Sequence, residues 1–200
     1  MDLWDIERGL RSEGYKLICG VDEAGRGPLA GPVYAAAVIL PPDIEIRGLN
    51  DSKKLSEKTR ETLFDIIIDK ALAYGVAYAD HTEIDRYNIL NATFIAMRRA
   101  VDALSQKPDI ALVDGNRDPC VGLNTRCIVG GDGKSASIAA ASILAKVSRD
   151  RFMAEAAKKY PQYVFEKHKG YGTKLHYETL REYGPSEIHR RTFLIKFFNS

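Results

Sequence analysis

Apolar positions along this chain fall into short dense runs separated by longer stretches of helical spacing. YKLICGVD (15–22) and VYAAAVIL (33–40) have the length and composition of strands, and the glycine turn between them predicts that they pair hairpin-fashion. The stretch from Leu40 to Leu55 reads as a loop broken by Pro41-Pro42. Ser56 is an N-cap candidate for a helix through SEKTRETLFDIIIDKALA, where Leu63, Ile66, Ile67 and Leu72 roughly share one face. AYGVAYAD is a third strand. Thr82 is taken to cap a short helix, and ILNATFIAMRRAVDAL is a clearer one, with Ile89, Phe94, Met97 and Val101 at helical spacing. Pro108 closes that element. DIALVDG and NTRCIVG supply two more strands, and Ser135 to about Tyr160 reads as one long alanine-rich helix. The tail holds a glycine-rich loop, HKGYG, leading into helical segments.

Strands that first meander and then alternate with helices point to an α/β domain whose mixed sheet is covered on both faces. No repeat, low-complexity tract or linker divides the 200 residues. One domain spanning 1–200 is expected, with residues 170–200 as a helical C-terminal extension.

Composition narrows the picture only a little. Lys+Arg number 29 against Asp+Glu 27, so a nucleic-acid partner would need clustered rather than abundant basic residues. Three cysteines, Cys19, Cys120 and Cys127, show no C-x-x-C spacing, which argues against a disulfide framework and a zinc ribbon. Cys19 lies within an apolar run and reads as a small core residue. The charged amino terminus carries no signal-peptide core, and no apolar stretch approaches the ~20 residues of a membrane span. A reducing cytoplasm fits these features, and a monomer is the default.

The chemistry is suggested by where the acids fall. Asp22-Glu23 follow ICGV, Asp114 follows IALV, and Asp132 follows CIVGG. A strand end can project a side chain into a crevice while its backbone stays rigid. Several carboxylates gathered there repel one another, and a divalent cation resolves the conflict; oxygen-only ligands favour Mg²⁺ or Mn²⁺ over zinc. Two such ions about 3.5–4 Å apart would serve phosphodiester cleavage. Against this, neighbouring strand residues point to opposite faces, so Asp22 and Glu23 share a site only if the strand twists or ends there. Ordinary solvated strand caps are the competing explanation.

Two phosphate-loop look-alikes fail. GRGPLAG has its third glycine one place late and is followed by a strand. GGDGKS lacks the first glycine of a P-loop, and Asp132 would face the phosphates. The basic residues are better explained by a polymer: Lys53, Lys54, Lys134, Lys146, Arg149 and the HKGYG stretch lie in loops or on the long helix. Lys146 and Arg149 lie one turn apart on the helix that begins near Asp132, within reach of phosphates flanking a metal site. His168, His176 and His189 show no metal-ligand spacing and are assigned surface or structural roles.

These motifs, in order, are GVDEAGRGPLAGPV, LNDSKKLSEKTRE, ALVDGN, GDGKSASIAAASILAKVSRDR, HKGYGTKLH and GPSEIHRRTF. Together they closely resemble type 2 ribonuclease H (ribonuclease HII) of bacterial type, from about Tyr15 to Phe193. The resemblance implies a ribonuclease H-like fold, a central five-stranded mixed sheet flanked by helices, with a helical tail that helps hold substrate. It implies endonucleolytic cleavage of RNA in RNA–DNA hybrids, and incision 5′ of a single ribonucleotide embedded in duplex DNA, leaving 3′-hydroxyl and 5′-phosphate ends. Asp22, Glu23, Asp114 and Asp132 match its four metal-binding, catalytic acids. Gly25, Arg26 and Gly27 match its sensor of the ribose 2′-hydroxyl, and Tyr171 matches the tyrosine that packs on the following deoxyribose. Lys53, Ser135, Lys146 and Arg149 are candidates for backbone contacts.

Type 3 ribonuclease H shares the core, but usually carries an extra amino-terminal domain for which the chain leaves no room. A non-catalytic hybrid-binding module would not need all four acids. Leu194, Phe197 and Phe198 are spaced like a sliding-clamp peptide, yet Arg191 stands where such peptides carry glutamine. Packing of an amphipathic tail on its own domain is the favoured explanation.

Overall fold

The computed structural model describes residues 2–50, 52 and 55–198. Five strands form one mixed sheet: β1 (Ile18–Ala24), β2 (Val33–Ile39), β3 (Ala73–Ala79), β4 (Ile110–Asp114) and β5 (Asn124–Ile128), in the order β3-β2-β1-β4-β5. β1, β2 and β3 pair antiparallel, whereas β4 runs parallel to β1 and β5 parallel to β4. Seven α-helices are found among the described residues. They are α1 (Asp5–Ser12), α2 (Glu57–Lys70), α3 (His81–Asp102), α4 (Ala136–Lys159), α5 (Phe165–His168), α6 (Lys174–Tyr183) and α7 (Arg191–Phe198).

Side-chain alternation divides the strands between two cores. Cys19, Val21, Ala35, Ala37 and Ile39 pack with Ala92, Ala96, Met97 and Ala100 of α3. Ala36 and Val38 point the other way, towards Ala140, Ala141 and Leu144 of α4 and Leu63 and Ile67 of α2. Every residue of α4 from Ala136 to Ala145 is buried, so its alanines and serines let it lie close to the sheet. Gly20 sets that approach: a Cβ there would sit 2.0 Å from the Ser137 carbonyl carbon. The start of α4 is thereby pressed onto β1, which is what carries Asp132 towards Asp22. Burial pushes the Cys19 thiol up to about 12, as suits an inert core residue.

Three local expectations are corrected. β1 does not end at the acid pair but continues to Ala24. The helix after β3 is capped by Asp80, not Thr82, through a capping box in which Glu83 returns a bond to the Asp80 N–H. The short helix and the longer one after it form a single element, kinked at Asn88 (φ 66°), whose side chain accepts from the Leu90 and Asn91 N–H groups.

The chain after α4 builds a third cluster in which Met153, Tyr163, Phe165, Leu180 and Leu194 are buried together. In α7, Leu194 faces inward and the Phe197 ring lies 5.2 Å from that of Tyr177, while Ile195 and Phe198 are exposed. No helix among the described residues is long and apolar enough to cross a membrane.

Candidate active site

Three of the four acids converge. Val21 and Val113 are the last register partners of the parallel β1–β4 pair, so the residues after them, Asp22 and Asp114, emerge side by side where that pairing stops. Asp132 arrives on a 3₁₀ turn (Gly131–Gly133) just before α4, and the Gly131 N–H donates to Asp114 Oδ1 at 2.7 Å. Carboxylate oxygens of Asp22, Asp114 and Asp132 all lie within 4.8 Å of one another. Asp22 and Asp132 are buried, and Asp114 is half-buried. Burial first, and then the charges of Glu23, Asp114 and Asp132, push the Asp22 carboxyl well above its ordinary value. A buried all-oxygen donor set under that repulsion fits a hard divalent cation.

Glu23 obeys the strand alternation. It stands beside the trio rather than within it, and its Oε1 lies 3.4 Å from Arg26 Nη1. It borders two recesses. One is a cleft of about 220 Å³ lined by Asp22, Glu23, Gly25–Gly27, Ser52, Asp114, Lys146, Arg149 and Tyr171. The other, of about 320 Å³, runs along α3 past Asn116 and Arg117. The first cleft therefore joins most of the sequence-derived candidates. Its far wall pairs Gly27 with Tyr171: a Cβ on Gly27 would be 3.6 Å from the tyrosine ring. Gly25 has φ +96°, and a Cβ there would lie 2.0 Å from Arg149 Nε, so only glycine fits.

The lesser candidates separate. Lys146 reaches the cleft, but its Nζ is held by both oxygens of Asp150 at 2.5 and 2.7 Å. Arg149 is buried and donates to the carbonyls of Pro32, Ala30 and Lys169, leaving it as the floor of the cleft with its Cζ 5.9 Å from the Tyr171 ring centroid. Ser135 is fully buried away from the cleft; its hydroxyl donates to Glu7 Oε1 (2.6 Å) and accepts from the Ile138 N–H to cap α4. That spent hydroxyl removes Ser135 as a substrate contact. Lys53 lies outside the described residues.

Comparison with known proteins accords with this geometry. The family model described as Ribonuclease HII matches residues 19–196. The chain belongs to the ribonuclease HII family. It is 60% identical over 191 residues to a ribonuclease HII of Caldicellulosiruptor bescii, covering 96% of this chain and 93% of that one. The ribonuclease H2 of Pyrococcus horikoshii OT3 superposes with a TM-score of 0.76 at 30% identity, covering 88% and 93% of the two chains. The RNase HII of Archaeoglobus fulgidus, solved in complex with PCNA, gives a TM-score of 0.70 at 27% identity, covering 88% and 94%. The five-stranded mixed sheet with flanking helices is thus the ribonuclease H-like fold, and the protein is a ribonuclease H-type hydrolase.

Arg190 builds the site's backbone wall, a role that its sequence context alone does not assign. Arg190 is fully buried and donates to the carbonyls of Gly25, Arg26 and Gly31. Burial, then the charge of Arg149, lowers its pKa to about 9. The three histidines have structural roles whose hydrogen bonds fix their tautomers. His176 donates from Nδ1 to the Tyr171 carbonyl (2.9 Å), so its Nε2 accepts from His189 Nε2–H (2.9 Å). His189 Nδ1 in turn accepts from Ser186, and His168 donates to the Tyr163 carbonyl while accepting from the Gly170 N–H. The HKGYG and GPSEIHRRTF blocks were the only sequence signal for these roles. Nothing in the dipeptide Arg190-Arg191 distinguishes the buried arginine from its exposed neighbour.

Proposed function

We propose that this protein cleaves the RNA strand of RNA–DNA hybrids and incises 5′ of single ribonucleotides embedded in duplex DNA, leaving 3′-hydroxyl and 5′-phosphate ends. The observation that carries the reading is one cleft with Asp22 and Asp114 of the carboxylate trio on one wall, Asp132 close behind them, and the Gly25–Gly27 turn facing Tyr171 on the other. Asp22, Asp114 and Asp132, with Glu23 beside them, would hold Mg²⁺ or Mn²⁺ ions. Such a pair of ions supplies an activated water and charge stabilisation for the leaving 3′-oxygen.

The chain's own residues do the rest. The turn offers backbone groups close enough to test a 2′-hydroxyl, the one group that separates RNA from DNA at a given sugar. Tyr171, nearly half exposed at 45%, presents a ring face to the next sugar, where a deoxyribose fits and a 2′-hydroxyl would crowd it. Lys146 lies where it can face a phosphate of the same strand. Arg149 supports the wall from below rather than touching substrate. The chain works as one ribonuclease H-like unit, with residues 170–200 as the extension that carries the tyrosine wall.

The test is a duplex with one embedded ribonucleotide, cut 5′ to it in Mg²⁺ or Mn²⁺, while the all-DNA duplex of the same sequence survives. Survival of both duplexes in both metals would refute the proposal.

A further inference from the structure

Arg190 makes an unusual set of bonds. Its Nη2 donates to the Gly25 carbonyl at 2.6 Å and its Nη1 to the Arg26 carbonyl at 2.8 Å, while Nε donates to the Gly31 carbonyl at 2.9 Å. In an extended chain, successive carbonyls point to opposite sides, so one guanidinium could not collect two in a row. Here it does, because Gly25 takes a left-handed backbone (φ +96°) that β-carbon-bearing residues rarely adopt.

None of the described peptide bonds is cis, and across a trans planar peptide the C=O and the next N–H point in opposite directions. With the Gly25 and Arg26 carbonyls turned to Arg190, the N–H groups of Arg26 and Gly27 are turned away from it. Neither has an acceptor among the described residues. Successive N–H groups aimed the same way form a concave donor pair suited to an oxygen, and these three residues line the cleft beside the carboxylates.

We infer that Arg190 is a positioning residue, which by holding two successive carbonyls presents the Arg26 and Gly27 N–H groups as a paired donor for the substrate's ribose 2′-oxygen. The inference rests on the proposed action at embedded ribonucleotides and assigns the recognition step to a residue that does not itself touch substrate. The rest of the setting is rigid enough for this. Leu29 donates to the Gly170 carbonyl and accepts from the Arg190 N–H, and Gly31 donates to the Ile188 carbonyl, so both flanks of the turn are pinned.

The experiment measures binding in a non-cleaving Asp22→Asn background, using a duplex with one ribonucleotide and the same duplex in all-DNA form. The parent should prefer the ribonucleotide duplex. Adding Arg190→Lys keeps the positive charge but, with all its donors on one nitrogen, cannot reproduce the fork that reaches the three carbonyls from Nε, Nη1 and Nη2. It should reduce that preference by about tenfold, as expected for misaligning a donor pair, while all-DNA affinity changes by less than about twofold. A purely structural role would lower the active fraction and move both affinities together, leaving their ratio unchanged. A folded R190K variant with its preference intact overturns the inference. If R190K and R190Q both fail to fold, Arg190 is a stability residue and the inference is likewise overturned. A parent with no preference at all would instead sink the embedded-ribonucleotide reading itself, and with it this role.

Discussion

The two walls of the cleft are built on opposite electrostatic plans. One gathers like-charged carboxylates where the β1–β4 pairing stops and on the turn before α4, where the rigid sheet holds them against their repulsion. The other is backbone, shaped by two buried guanidiniums that between them bind six carbonyls: Arg149 takes those of residues 30, 32 and 169, and Arg190 those of 25, 26 and 31. Negative side chains exposed to a cleft suit a site that must capture cations. Positive side chains hidden behind a loop suit a site that must keep a precise shape while offering only neutral groups to its ligand.

If the walls differ in this way, neutralising an acid should damage chemistry and spare the fold. Asp22→Asn or Asp114→Asn is expected to cut hybrid cleavage by more than about 100-fold, beyond what the loss of an outer-sphere metal partner costs. Thermal stability should hold, and for D22N should rise, because a buried, mutually repelling charge is removed. A cleavage assay beside a melting curve decides it; loss of folding would recast the acids as structural.

The opposite wall should behave the other way round. Gly25→Ala forces a Cβ into Arg149 Nε at a backbone angle alanine resists, and is expected to destabilise by about 2–4 kcal/mol in urea unfolding. An alanine variant as stable as the parent would mean that the turn is not held as tightly as its contacts require.

A third effect is set by pH. Burial and mutual repulsion lower His176 to about 4 and His189 to about 3 from an ordinary 6.5, with His168 shifted the same way. The groups around them include Arg191, whose charge opposes protonation of His189, and Glu166, whose charge favours protonation of His168. The unfolded chain therefore takes up protons near 6.5 that the folded chain refuses. Stability should be full above that value and fall as pH drops from about 6.5 towards 4, by on the order of 3 kcal/mol for each of His176 and His189. Chemical denaturation across that window, repeated with His189→Gln, would show the slope flatten if the hydrogen-bonded His176–His189 pair is its source.

The same contrast explains what could be read from sequence. Strand ends are marked by short apolar runs, so Asp22, Asp114 and Asp132 were legible as a set, although their spacing alone could not exclude solvated caps. Glu23 was grouped with them on the expectation that the strand twists or ends at the acid pair; β1 instead continues to Ala24, and Glu23 stands beside the trio. The arginine-built wall was not legible, because Arg190 reaches a turn more than 150 positions away, with |i−j| of 165 to Gly25. A buried arginine leaves no periodicity and looks like any basic pair. Ser135 was misread for a related reason: a serine opening a helix near an acid suits a phosphate contact as well as an N-cap, and only Glu7 of α1, packed onto it, settles the matter.

The smallest expected effect concerns Lys146, which belongs to neither plan. It lines the cleft, yet Asp150 already neutralises it through two short bonds, and Arg60 Nη2 lies 3.8 Å from the same carboxylate. Lys146→Ala should therefore weaken hybrid binding only about threefold and, as for one lost phosphate contact, reduce the slope of log affinity against log salt by no more than about 1. Asp150→Asn should act in the opposite direction. It releases the ammonium from its partner, so binding should tighten and the salt slope steepen, at some cost in stability from leaving Lys146 and Arg60 less well compensated. If both substitutions weaken binding equally, Lys146 and Asp150 act together as a brace for the cleft wall, and the lysine makes no phosphate contact of its own.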